Sequence, residues 1–279
     1  MLEIVDYADL KTRNKLGFQV QKCIAILPAD SYSSWGKIIG SFNSKLVFVS
    51  MTSIIIPQNV ADKVCQVLDV NARNSSLFSK GVSLVVTFSG EDGYSIAKSI
   101  EGDERSEIFV TGSGVQTSDL SDLLLAGPGS KSMTDTSTLD SCSCGIIKPH
   151  AVKSKLLGPI IDHIISQGYE ISAATSIYFD KVQSEEFYEV YKGVVPEYAD
   201  HVQQLCSGLV VALEVRAESA VSVFRQTAGP WDTDMAKELR PDTIRGKYGV
   251  DLIRNAMHVT DLPTDGMAEV EYCFKIMSS

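Results

Sequence analysis

Apolar and polar positions run through the same order twice along this chain. In the second half, residues 144–147 form a short apolar run that predicts a buried strand, followed at once by Lys148-Pro149. Cys142-Ser143-Cys144 reads as the start of that strand. Residues 157–167 repeat apolar side chains at helical spacing and stop at Gly168, and residues 169–179 alternate as a half-buried strand does. Helices are expected over 184–191, with Ser184 as N-cap, and over 196–207. A third strand over 209–215, a helix over 219–227 and a closing strand over 269–274 complete a βαββαβ order. The first half repeats it, with strands over 22–27, 46–56 and 81–88, helices over 35–42 and 92–100, and a closing strand over 122–125. The fold class is therefore α/β (α+β), with two tandem ferredoxin-like βαββαβ domains.

The halves differ in one loop. From Gly208 to the closing strand at Val270 the second half takes 62 residues, whereas from Gly81 to Leu123 the first takes 42. All four histidines, at 150, 163, 201 and 258, lie in the second half. The stretch 126–137 is small, polar and rich in breakers, as a linker is. The expected division is an N-terminal extension over 1–18, a first domain over 19–128, a linker over 129–141 and a second domain over 142–279.

With 279 residues, 44% of them hydrophobic and 22% charged, the chain can bury two cores. No apolar run is long enough to span a bilayer and the N-terminus has no secretory pattern, so a cytoplasmic location without membrane contact is expected. A net charge of −10 argues against general nucleic-acid affinity, and a polyphosphate would need a local basic pocket. Six scattered cysteines suit a reducing compartment without a disulfide framework.

The segment 254–261 concentrates chemistry: His258 is bracketed by Arg254, Asn255, Thr260 and Asp261. A neutral imidazole is a good nucleophile near neutral pH, and Thr260 can bond to an acceptor that orients the ring. Taken alone, His258 also reads as a partly buried histidine in a polar loop. Lys148 sits at a strand end, where ligands are often met, or is an ordinary surface lysine. The loop 239–249 is long and irregular and carries Arg240, Arg245 and Lys247, which could meet phosphates. Arg225 reads as a solvated helix residue. Tyr188 and Tyr198 read as core aromatics, and His163 and His201 as structural or solvated. Neither of the glycine-rich phosphate loops is present.

Lys148-Pro149-His150-Ala151, residues 240–246, Arg254-Asn255-Ala256-Met257-His258 and residues 269–274 together resemble the nucleoside diphosphate kinase family, over about residues 142–277 in order and spacing. The paired arrangement and the N-terminal Leu2 to Ala8 resemble the tandem-domain type-7 branch, in which a DM10 domain comes first, and Met1 to Asp9 would be its tail. The resemblance implies ping-pong transfer of the γ-phosphate of ATP or GTP to His258 and on to a nucleoside diphosphate. It implies that Glu269 orients the ring, that Lys148 and Asn255 contact the ribose, and that Arg225 and Arg245 bind phosphates. Tyr188 would lie near the transferred group and Tyr198 would stack on the base. Mg²⁺ would ride on the nucleotide's own phosphates, with no protein metal site. The branch further implies a scaffold role at a ciliary or flagellar axoneme, basal body or centrosome with microtubule partners, and a pseudo-dimer of the two domains.

Departures from the family pattern are His150 for aspartate, Val259 for glycine, Thr260 for serine, Trp231 for a phosphate-binding threonine, and a spacing difference of about one residue near Tyr188. In the first half Pro28-Ala29-Asp30 replaces Lys-Pro-Asp and Thr111 falls near the histidine position, so that copy is expected to be degenerate and non-catalytic. The transferase reading further expects the His258 ring to be open to an incoming phosphorus.

Overall fold

The computed structural model describes residues 20–103, 108–127 and 129–277. The expected extension over 1–18 lies outside the described residues. The chain divides into two compact units, Met1–Thr136 and Ser137–Ser279. The division falls inside the stretch expected to link the domains. Part of that stretch belongs to the first unit: Ser130–Thr134 is helical, Met133 is buried, and its carbonyl accepts the Ile55 N–H at 2.8 Å.

The first unit carries β1 (Val20–Leu27), β2 (Val47–Ile54), β3 (Ser83–Glu91) and β4 (Phe109–Val110). They form antiparallel pairs in the order β4-β1-β3-β2. Helix α1 (Trp35–Lys45) joins β1 to β2, α2 (Gln58–Leu68) lies between β2 and β3, and α3 (Gly93–Asp103) precedes β4. Then come α4 (Gly114–Ser121) and a π-helical turn, Asp122–Ala126. Ile24, Ile26, Ile54, Val64, Phe78 and Leu124 form a shared core.

The second unit repeats this plan with β5 (Cys142–Ile147), β6 (Glu170–Tyr178), β7 (Leu209–Arg216) and β8 (Met257–Val259), antiparallel in the order β6-β7-β5-β8. Each unit is thus a βαββαβ sandwich, as the repeated pattern predicts. The second strand of each unit has one extra residue against its partner, at Phe48/Ser50 and at Ile171/Ala173. In the second unit the extra residue, Ser172, donates its hydroxyl to the buried Glu214 carboxylate at 2.6 Å. The same carboxylate accepts the Thr138 and Leu139 N–H groups, which ties the unit's first residues to β7.

Further helices include α5 (Leu157–Ser166), α6 (Lys181–Phe187), α7 (Tyr198–Leu205), α8 (Ala220–Ala228), α9 (Thr233–Leu239), α10 (Ile244–Tyr248) and α11 (Gly266–Glu271). Helix α6 starts earlier than Ser184. Asp180 caps it with a reciprocal capping box to Gln183, leaving Ser184 buried inside. The loop 239–249 is less irregular than expected, because Thr243 accepts the Gly246 N–H and starts α10.

Two elements differ in kind from the sequence pattern. Residues 269–274 are helical, α11 continuing into a π-helical turn at Tyr272–Ile276, and residues 122–125 are helical as well. Gly266, Val270 and Cys273 are the buried positions, as are Leu120 and Leu124, and this is i, i+4, i+7 spacing. The short apolar runs concealed it. The closing strands are instead β8 and β4, so His258 sits on a strand. Among the described residues no helix is long and apolar enough to cross a membrane, and none of the six cysteines is joined in a disulfide.

Candidate active site

β8 lies at the sheet edge beside β5, with His258 opposite Ile146. Thr260 staples the strand end: its N–H donates to the Cys144 carbonyl at 3.1 Å, and its hydroxyl accepts the Cys144 N–H at 2.9 Å. The Thr260 hydroxyl also donates to Glu269 Oε2 at 2.9 Å, and the same oxygen lies 2.9 Å from His258 Nε2. A carboxylate only accepts, so Nε2 carries the proton and the lone pair is left on Nδ1. Nδ1 is buried and has no hydrogen-bond partner among the described residues. The strand and the start of α11 therefore deliver one imidazole in a fixed tautomer.

The expectation of an open ring is not met. His258 is fully buried, with its ring centroid 5.1 Å from Phe187, 5.6 Å from Tyr188 and 6.4 Å from Tyr191. The gap bounded by Tyr188, Tyr191, Val195, Tyr198, His201 and Trp231 holds about 180 Å³ of unfilled space but no room for a water-sized sphere. Its walls are Val195 and five ring side chains, of which Tyr191 had no expected role and His201 was expected to be structural or solvated.

Lys148, placed by the end of β5, is not a surface lysine. It is 1% exposed, and its Nζ donates to the Ile253 carbonyl at 3.0 Å and lies 3.5 Å from His201 Nδ1. Burial, and then the charge of Arg245, hold its pKa well below the ordinary lysine range. Arg245, on α10, is buried too and donates to the Gly229 carbonyl at 2.8 Å and the Met257 carbonyl at 3.2 Å. Burial brings its pKa down to about 10. Asn255 donates Nδ2 to the Trp231 carbonyl at 3.2 Å, and its Oδ1 has no partner among the described residues.

Tyr188 is a core residue, and burial pushes its phenol pKa up, with a further push from the charge of Glu269. Its Oη has no partner among the described residues. Tyr198 is half-buried at the rim, with its hydroxyl donating to the Glu185 carbonyl at 3.3 Å. Arg225, half-exposed on α8, pairs with Asp261 at 3.2 Å, and the same carboxylate accepts the Tyr191 hydroxyl at 2.5 Å. Thus Lys148, Arg245 and Asn255 converge around Trp231, and His258, Glu269 and Tyr188 form the layer beneath. Arg225 stands outside, bound to Asp261.

His201 is neither solvated nor remote. It is buried, lies edge-on to Trp231 at 4.8 Å, and is held neutral down to about 3, first by burial and then by the charge of Lys148. His150 accepts the Ala256 N–H at 3.2 Å, which supports a residue with φ of 72° immediately before the strand. The only sequence signals for the unforeseen wall were the altered spacing after Tyr188 and the tryptophan at 231. Arg240 and Lys247 lie elsewhere, on an open cleft of about 650 Å³ with His163, Gln167 and Thr227. No group of three or more His, Cys, Asp or Glu among the described residues could hold a metal ion.

In the first unit, Ile24 and Thr111 exchange the bonds that Cys144 and Thr260 exchange in the second, with Ile24 N–H to Thr111 Oγ1 and Thr111 N–H to Ile24 O both at 3.0 Å. Thr111 therefore corresponds to Thr260. The residue in the register of His258 is Phe109, opposite Ile26 and two residues before Thr111, which the sequence placed near the histidine position.

A family model described as nucleoside diphosphate kinase matches residues 142–278. The Nucleoside diphosphate kinase homolog 7 of Rattus norvegicus is 31% identical over 307 aligned positions, covering 100% of this chain and 77% of the rat protein. That of Mus musculus is 30% identical with the same coverage. The nucleoside diphosphate kinase of Aquifex aeolicus is 35% identical over 129 residues, 46% of this chain and 89% of that protein. Its crystal structure covers 48% of this chain at a TM-score of 0.45 and 33% identity. The chain belongs to the nucleoside diphosphate kinase family.

Proposed function

We propose that the second unit is a nucleoside diphosphate kinase acting by ping-pong transfer through His258. The observation that carries this reading is the division of the imidazole: Nε2–H is bound to Glu269, which leaves the unpartnered Nδ1 lone pair as the nucleophile. In the forward half-reaction the bond between the γ-phosphorus and its bridging oxygen breaks, an Nδ1–phosphorus bond forms, and the nucleoside diphosphate leaves. A second diphosphate reverses these steps. Glu269, itself fixed by Thr260, offsets the positive charge that develops on the ring.

In the remaining roles, Lys148 and Asn255 meet the ribose, with Lys148 also near the transferred group. Arg245 and Arg225 cancel phosphate charge, Tyr188 Oη bonds to the phosphoryl group, and Tyr198 stacks on the base. Mg²⁺ would be held mainly by the nucleotide and would help neutralise phosphate charge beside Arg245 and Arg225. The enclosed ring means that the site opens before chemistry. The same enclosure supports a second reading, in which the kinase fold serves mainly as a binding surface, at an axoneme or another microtubule-based assembly.

Incubation of the full chain with γ-labelled ATP separates the two. An acid-labile, base-stable label on the wild type that is lost in His258→Ala is the expected result. A wild type that takes up no label removes the transferase and leaves the binding role.

A further inference from the structure

One short segment of the chain occupies the groups assigned above to the nucleotide. Residues 229–231 leave the end of α8 through Gly229, at φ 88°, and Pro230. The Gly229 carbonyl takes a guanidinium N–H of Arg245 at 2.8 Å, and the Trp231 carbonyl takes the Asn255 amide at 3.2 Å. The indole lies 5.4 Å from the Arg245 guanidinium carbon and 5.6 Å from Lys148 Nζ, within cation–π range of both. It is half-buried and forms the outer wall against His201 and Tyr191.

Two buried cations ordinarily require an anion. The partners of Lys148 and Arg245 are carbonyls, His201 and the indole, with no carboxylate in salt-bridge contact among the described residues. The negative face of the indole stands where an anion would be worth more, since a phosphate offers full charge and two-pronged acceptance to the guanidinium. Nearby, Asn255 Oδ1, His201 Nε2, Tyr188 Oη and His258 Nδ1 all lack partners among the described residues, and buried polar atoms are rarely left so. The surroundings of Trp231 are thus those of a ligand position and not of an apolar core.

We propose that Trp231 is an internal competitor for the phosphate position: nucleoside phosphates bind only as the indole withdraws from Lys148 and Arg245, so Trp231 sets nucleotide affinity. The inference rests on the reading above that nucleotide binds in this site, but not on transfer to His258. An occupant engaged in roughly nine molecules of ten weakens apparent affinity about tenfold.

The test is calorimetric titration of the full chain with ADP and Mg²⁺, repeated in a His258→Ala background where no transfer can occur. Trp231→Thr is expected to bind ADP about tenfold more tightly than wild type, in both backgrounds. Trp231→Phe keeps an aromatic ring with a weaker face, and is expected to fall between them and to fold should the threonine variant not. In the wild type, ADP is expected to shift tryptophan fluorescence, a shift absent from Trp231→Phe, where Trp35 of the first unit is the remaining indole. Unchanged or weaker ADP binding by both Trp231 variants overturns the proposal, as does the absence of ADP binding in every variant. Tightened binding without any histidine label would sustain it while removing the transferase reading.

Discussion

The closing strands of the two units are built alike and equipped differently. In both, a threonine one residue past the strand exchanges bonds with the first strand, Thr111 with Ile24 and Thr260 with Cys144. Two residues earlier the first unit has Phe109 and the second His258. Phe109 packs edge-on against Phe78 at 4.6 Å, which is core packing. Below the threonine, Thr111 meets the hydroxyl of Thr117 at 2.8 Å, whereas Thr260 meets the carboxylate of Glu269. After the first strand Pro28 stands where Lys148 stands in the second unit. Strand and staple are therefore architecture, needed by either unit to close its sheet. Ring, carboxylate and ammonium are separable from it, and only the second unit has them.

Exchanging residues across this comparison gives the largest expected effect. His258→Phe, which gives the second unit the first unit's residue, should lower phosphohistidine labelling by about a thousandfold or more. Circular dichroism should be retained, since Phe109 shows that the register accepts a benzyl group. Loss of folding would mean that the imidazole is structural. Glu269→Gln keeps the size but removes the charge that steadies the ring, and should slow labelling on the order of a hundredfold in single-turnover assays. A rate equal to wild type would detach Glu269 from the reaction.

The reverse exchange, Phe109→His, should gain no label, because no carboxylate or ammonium accompanies it. Burying an unpartnered imidazole in place of a packed ring should cost about 2–4 kcal/mol in denaturant unfolding. Acquired label would show that the first unit is less degenerate than its residues indicate.

The smallest effect follows from the placement of every histidine in the second unit. His150 is lowered from 6.5 to about 4 and His201 from 6.5 to about 3, each first by burial and then by the charge of Lys148. The unfolded chain thus binds these protons first. The stability they confer is complete above about pH 6.5 and is lost as pH falls through that window toward 4 and 3. A chain carrying His150→Gln and His201→Gln should lose less of its urea midpoint between pH 7 and pH 5 than wild type. An equal loss would place the acid sensitivity in carboxylates.

Much of this molecule was legible in its pattern of side chains. Buried strands such as Cys142–Ile147 announce themselves by continuous apolar residues, and the twofold order of elements follows from repeated periodicity. The convergence of Lys148, Arg245, Asn255 and His258 was legible through resemblance, because matched spacing preserves relative position. Short apolar runs were not: residues 122–125 and 269–274 fit a strand or a helix equally well until the buried positions are known. Nor could Thr111 be told from the histidine position, since a two-residue offset is settled only by the pairing of Ile26 with Phe109.

The state of the site was decided in three dimensions. Nothing in a linear reading packs Trp231 against both Tyr191 and His201 beside the Lys148 ammonium, because they come from separate segments, and a side chain's exposure depends on what the rest of the chain folds over it. Local order along the backbone determined which elements form and which reactive groups the protein possesses. Packing between distant segments determined that those groups are enclosed, since burial and pairing are properties of neighbours in space and not of neighbours in sequence.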